Sequence, residues 1–217
     1  MNMMTDPPRA ADRALVVLPS RAGELDIPDW ETARHLVFPF LESVSEKPAR
    51  ADAVSALNAF DPLSGMITDC IKMSLALFYH GAVIPLSESL IHEWSVNMAA
   101  VRLAMDANMS LVARSSRFEL HKKGSFYYYS VHSDASPFNS VLPFYEPFQE
   151  TAAAMLGSPF YFAVPERRTV ILFGREGLPR YRSELRNDIL LTWDTSTSAL
   201  SPELIEVSES GTLPVTR

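Results

Sequence analysis

The chain has 217 residues, 47% of them apolar and 21% charged, which is ordinary usage for a folded protein whose core needs neither metal nor disulfide. Its one cysteine, Cys70, excludes an intramolecular disulfide and a cysteine-based zinc site, and fits a reducing cytosol. The net charge of −7 argues against non-specific nucleic-acid binding, no apolar run approaches the ~20 residues that span a bilayer, and Met1–Arg13 lacks the apolar core of a signal peptide, so the expected setting is cytoplasmic with no membrane contact.

Polar tails are expected over 1–13 and 209–217, enclosing one α+β domain at 14–208 with lobes at 14–113 and 116–208. Ala14–Leu18 reads as a short buried strand stopped by Pro19. Asp29 suits a helix cap, and Trp30, Ala33, Val37, Phe40, Leu41 and Val44 follow at helical spacing, with a kink or break expected at Pro39. Residues 45–52 read as a solvated linker, and 53–60 as a short helix ending before Asp61-Pro62. The second half of Ile67–Tyr79 reads as a strand. His80-Gly81 is its tight turn and Ala82–Leu86 the return strand. Ser87 starts a helix, and a longer helix is expected over about 97–113.

A hairpin is expected from 118–121 and 125–131, turning at Lys122-Lys123-Gly124. Ser136-Pro137 has the form of a helix start, and Gly157 of a helix stop. Phe160–Pro165 and Thr169–Phe173 make a second hairpin turning at Glu166-Arg167-Arg168. A helix over Pro179–Trp193 and a last strand at Leu204–Val207 complete the chain. Hairpins demand antiparallel neighbours, so the expected fold is a mixed, partly antiparallel sheet with helices packed on it.

Two segments resemble the YtpQ-like bacterial proteins. In IPLSESLIHEWSVNMAAVRLAMDANMSLV (84–112), Leu90, Trp94, Val96, Ala104 or Ala107, and Asn108 match the family's run. In 134–173, Pro165 and Arg167 match its hairpin, whereas Arg168 stands where the family commonly has Asp. The resemblance implies a cytoplasmic α+β protein and brings no catalytic residues.

No motif names a reaction. A Cys70 nucleophile would need a base such as His80, or Asp69 beside it, within reach. His132 and Asp134 share a strand face, but two ligands do not make a metal site, and no cofactor is implied. The serines near them, Ser133, Ser136 and Ser140, lack a GxSxG elbow. The aromatic residues are more informative. The chain has 3 Trp, 7 Tyr and 12 Phe, and fifteen of these 22 lie between Phe118 and Trp193. Consecutive aromatics such as Phe126–Tyr129 populate both faces of a strand. One face must be core, and the other is either covered by a helix or a binding face. Arg167 and Arg168 at a hairpin tip suit an acidic group. The reading at this level is a non-enzymatic protein-binding module, such as a bacterial immunity-type partner of a basic toxin. Tyr127, Tyr129, Arg167 and Arg168 would form its contact surface, and self-association stays open. The alternative is an enzyme of unfamiliar type, for instance a hydrolase using His132, Asp134 and Ser136.

Overall fold

The computed structural model describes residues 16–17, 27–44, 64–134 and 139–215. The readings that fall on 1–13, 45–60 and Ser136-Pro137 therefore lie outside the described residues. The fold is α+β, built on two sheets where one was expected. In the first, β1 (Val16–Val17) is followed across the sheet by β5 (Ala82–Pro85), β4 (Ile71–Tyr79) and β2 (Val37–Ser43), and β3 (Ser64–Met66) pairs with residues 72–74 of β4. The second runs β11 (Gly211–Pro214), β10 (Ile205–Ser208), β8 (Phe160–Ala163), β9 (Ile171–Gly174), β7 (Phe126–His132), β6 (Arg117–Lys123). Every pair is antiparallel except β1 with β5.

The helix expected from Asp29 to Val44 is mostly strand. Asp29 does cap a helix, accepting the Thr32 backbone N–H at 3.0 Å, and that bond holds its carboxyl below the usual carboxylate range. The helix, α1 (Trp30–Ala33), ends after one turn, and β2 follows with Pro39 opposite Leu75. Proline is tolerated because, among the described residues, only β4 pairs with β2, so an amide on the open edge is not missed. The β4–β5 turn falls at His80-Gly81 as expected, both in the left-handed region at φ 50° and 78°.

Ser87 caps α2 (Glu88–Glu93) and Asn97 caps α3 (Met98–Ser115), each accepting a backbone N–H three residues on. α3 is tied to the first sheet by Asn108, whose buried amide donates to the carbonyls of Arg34 and Val37, both at 2.9 Å. A 3-10 turn at Asn139–Phe144 leads into α4 (Glu146–Leu156), which stops at Gly157 with φ 81°. The helix expected over 179–193 is two, α5 (Leu178–Glu184) and α6 (Arg186–Thr195), joined at Leu185. The tail expected at 209–217 contains β11, which pairs with β10 through residues 211–214. Its side chains are largely exposed, so composition hides a strand held by its backbone.

Alternation assigns the aromatics. Phe160, Phe162 and Leu172 face α3 and α4, and share one core cluster with Leu41 and Ile71 of the first sheet. Tyr161, Ala163, Ile171 and Phe173 face Tyr181, Leu185 and Ile189 of the α5–α6 layer. The second sheet is therefore covered on both faces along β8 and β9. No helix among the described residues is long and apolar enough to cross a membrane.

Candidate metal centre

Cover thins out at β6, the last strand of the second sheet. Its ladder with β7 sets Arg117 opposite His132, Glu119 opposite Ser130, and His121 opposite Tyr128. These six residues share one sheet face, because cross-strand partners and every second residue point the same way. The face is the one that α5 and α6 cover further along, where Phe126 is buried and Tyr128 packs against the same cluster.

Glu119 and Ser130 form the centre, with His121 and His132 flanking them on opposite strands. The Ser130 hydroxyl lies 2.7 Å from the Nε2 of both histidines. His132 Nε2 is also 3.2 Å from Glu119 Oε2. A carboxylate can only accept, so His132 Nε2 is assigned its proton. The serine then donates to His121 Nε2 and accepts from His132. One ligand atom from each of Glu119, His121 and His132 lies within 4.8 Å of the other two.

This geometry sorts the chemistry. A serine-nucleophile triad needs the acid on one imidazole nitrogen and the serine on the other. Here Glu119 and Ser130 both meet Nε2 of His132, so the relay cannot run. A metal site needs several donor atoms gathered around one point, and one from each of Glu119, His121 and His132 lies within 4.8 Å of the other two. Zn–N and Zn–O bonds of about 2.0–2.2 Å place tetrahedral ligands roughly 3.3–3.6 Å apart, and the His132–Glu119 separation of 3.2 Å lies just below that range. Two imidazoles with a carboxylate suit zinc or another late first-row ion rather than magnesium or calcium.

The other candidates are dispersed. Asp134 pairs with Arg117 at 4.0 Å, so the acid beside His132 is Glu119 from the neighbouring strand; Ser136 lies outside the described residues. Tyr127 is 54% exposed, with Lys122 Nζ 5.3 Å from its ring centre, whereas Tyr129 packs against the core on that face. Arg167 is not at a free tip. Its loop is fastened by Arg167 N–H to the Ser198 carbonyl, Ser140 N–H to the Arg167 carbonyl and Leu200 N–H to the Pro165 carbonyl. Its guanidinium lies 4.5 Å over the Phe40 ring of β2, and burial pulls its pKa down against the opposing pull of Glu42. The Arg168 carbonyl accepts from Asn139 Nδ2 at 3.4 Å. Of the four residues expected at the contact surface, Tyr127 is exposed, whereas Tyr129 and the Arg167 guanidinium pack against other residues.

Cys70 lines a groove of about 620 Å³ together with Asp69, Arg182, Arg186 and Glu203. His80 stands at the other end of β4, roughly 30 Å away at the rise of a strand, so it is no base for the thiol. The hairpin cluster is visible only once the strands are paired with the turn at Gly124-Ser125, which puts Glu119, His121 and His132 on one face; scanning each strand alone hides it. No family model, curated protein or solved structure matches the chain, so the reading of this site rests on its own residues.

Proposed function

We propose that this chain is a metal-binding protein that holds one late first-row divalent ion, zinc foremost, through Glu119, His121 and His132 on the β6–β7 hairpin. The observation that carries the reading is the gathering of one ligand atom from each of Glu119, His121 and His132 within 4.8 Å on an antiparallel ladder. A paired ladder fixes the three backbones, so ordering them for the ion costs little. Neutral imidazoles and an ionised carboxylate are the ligand forms required, and the ion replaces the proton on His132 Nε2 as that ring changes tautomer.

The test is a zinc titration of the tag-free chain in competition with a chromophoric chelator. One ion per chain is expected, and His132→Ala, His121→Ala and Glu119→Gln should each weaken binding at least tenfold. His92→Ala, an exposed histidine on α2, should change nothing. The reading fails if the variant lacking all three ligands binds zinc as well as the unaltered chain.

A further inference from the structure

We propose that the groove between the α5–α6 layer and the β3–β4 turn binds a short apolar peptide with free ends, at a site separate from the metal centre. Its volume of about 620 Å³ falls within the roughly 300–1,000 Å³ of small-ligand pockets, more than one amino acid fills.

The charged lining sorts by element. Arg182 and Arg186, four residues apart, come from α5 and α6. The carboxylates are Asp69, in the turn between β3 and β4, and Glu203, just before β10. The Thr68 hydroxyl donates to Glu203 Oε2 at 2.6 Å, which draws Glu203 to the turn that carries Asp69. The Ser201 hydroxyl donates to the same oxygen at 3.1 Å. Hydroxyls rather than cations therefore hold Glu203. Among the described residues, no ion pair joins either arginine to these acids or to any other carboxylate. Opposite charges that line one groove without closing on each other leave room for a ligand that carries both.

Between the charges the lining is apolar, with Leu178, Leu190, Leu204 and Val215. Tyr181 also lines the groove, is only 7% exposed, and its hydroxyl has no hydrogen-bond partner among the described residues. Burial raises its pKa, and Arg186 is near enough to oppose that rise. A phenol and two guanidiniums can thus donate to a carboxylate, while Asp69 and Glu203 accept from an ammonium. A purely anionic ligand would face both acids and a net charge of −7. A purely cationic one would face both arginines. A peptide with free ends and apolar side chains meets every part of the lining.

Equilibrium dialysis of the full chain against trileucine decides it, with EDTA present so that no metal takes part. One peptide per chain is expected. Acetylating its amino end or amidating its carboxyl end should each weaken binding about tenfold, the effect of one charge-assisted hydrogen bond. Arg186→Gln, an exposed position, should weaken the free peptide similarly and leave the amidated one unchanged, which ties this arginine to the carboxylate. Asp69→Asn should behave likewise towards the acetylated peptide. Equal binding of the free and the doubly capped peptide overturns the inference, because the charges then play no part. Equal binding of free leucine overturns it because the groove is then not sized for a peptide. No binding of trileucine at millimolar concentration overturns it outright.

Discussion

Ser130 is the residue on which two accounts of the hairpin part. If the cluster is only a hydrogen-bond chain, the hydroxyl is its keystone, since it touches both imidazoles. If the cluster is a metal site, the hydroxyl is a placeholder between ligands that are positioned by their strands. Ser130→Ala should accordingly change zinc affinity by less than tenfold, while Glu119→Gln changes it by more, as the chelator competition reads directly. A loss in Ser130→Ala equal to that in His132→Ala would make the serine a ligand in its own right. His132 was recognisable in the sequence as a candidate ligand, but its acid was not. Residues two apart on one strand share a face, and that rule favoured Asp134, whereas the structure gives Asp134 to Arg117 and brings Glu119 across the ladder. A face is readable from one strand; a neighbour requires the register.

Register is a property of the element, and the sequence of one strand does not fix it. Turning the hairpin at Lys122-Lys123-Gly124 would set His121 opposite Ser125. The turn lies at Gly124-Ser125, and His121 pairs with Tyr128. An odd shift in pairing moves side chains to the other face, so the cluster could not be assembled from that turn. β2 failed for a related reason, because Val37, Phe40, Leu41 and Val44 satisfy helical spacing while β4 supplies a partner that makes the segment a strand. The hairpins at His80-Gly81 and at β8–β9 are legible because short continuous apolar runs flank polar or glycine-bearing turn residues there. The entry to α5 carries a further constraint that only packing reveals. A Cβ on Gly177 would come within 2.7 Å of Phe126 Cε2 and 2.9 Å of Phe173 Cδ2, both on buried rings. These rings pack edge to face, 5.2 Å between centres, and have little room to yield. Gly177→Ala should destabilise the fold by about 1–3 kcal/mol in chemical denaturation, the usual cost of overpacking. An unchanged midpoint would mean that the α5 layer is looser than its contacts imply.

Over the whole molecule, the second sheet is a middle layer, and its two covers differ in chemistry. The α3–α4 side is closed by Phe148, Ala152, Met109 and Val112 against Phe160 and Phe162, and the phenols packed beside them, Tyr129 and Tyr145, are only partly buried. The α5–α6 side contains two phenols, Tyr161 of β8 and Tyr181 of α5. Burial raises the pKa of both above the ordinary tyrosine value. A hydrogen bond to Glu206 adds to the shift at Tyr161, while Arg186 opposes it at Tyr181. A raised folded-state pKa means that the native state keeps these protons after the unfolded chain has begun to lose them. The stability they confer is therefore complete below about pH 10 and is lost as pH rises through the folded-state values. Denaturation midpoints measured across pH 9 to 11 should fall, and Tyr161→Phe and Tyr181→Phe should fall less steeply than the unaltered chain. Equal slopes for all three proteins would mean that water already reaches these phenols in the folded state, and that the α5–α6 layer does not seal the sheet.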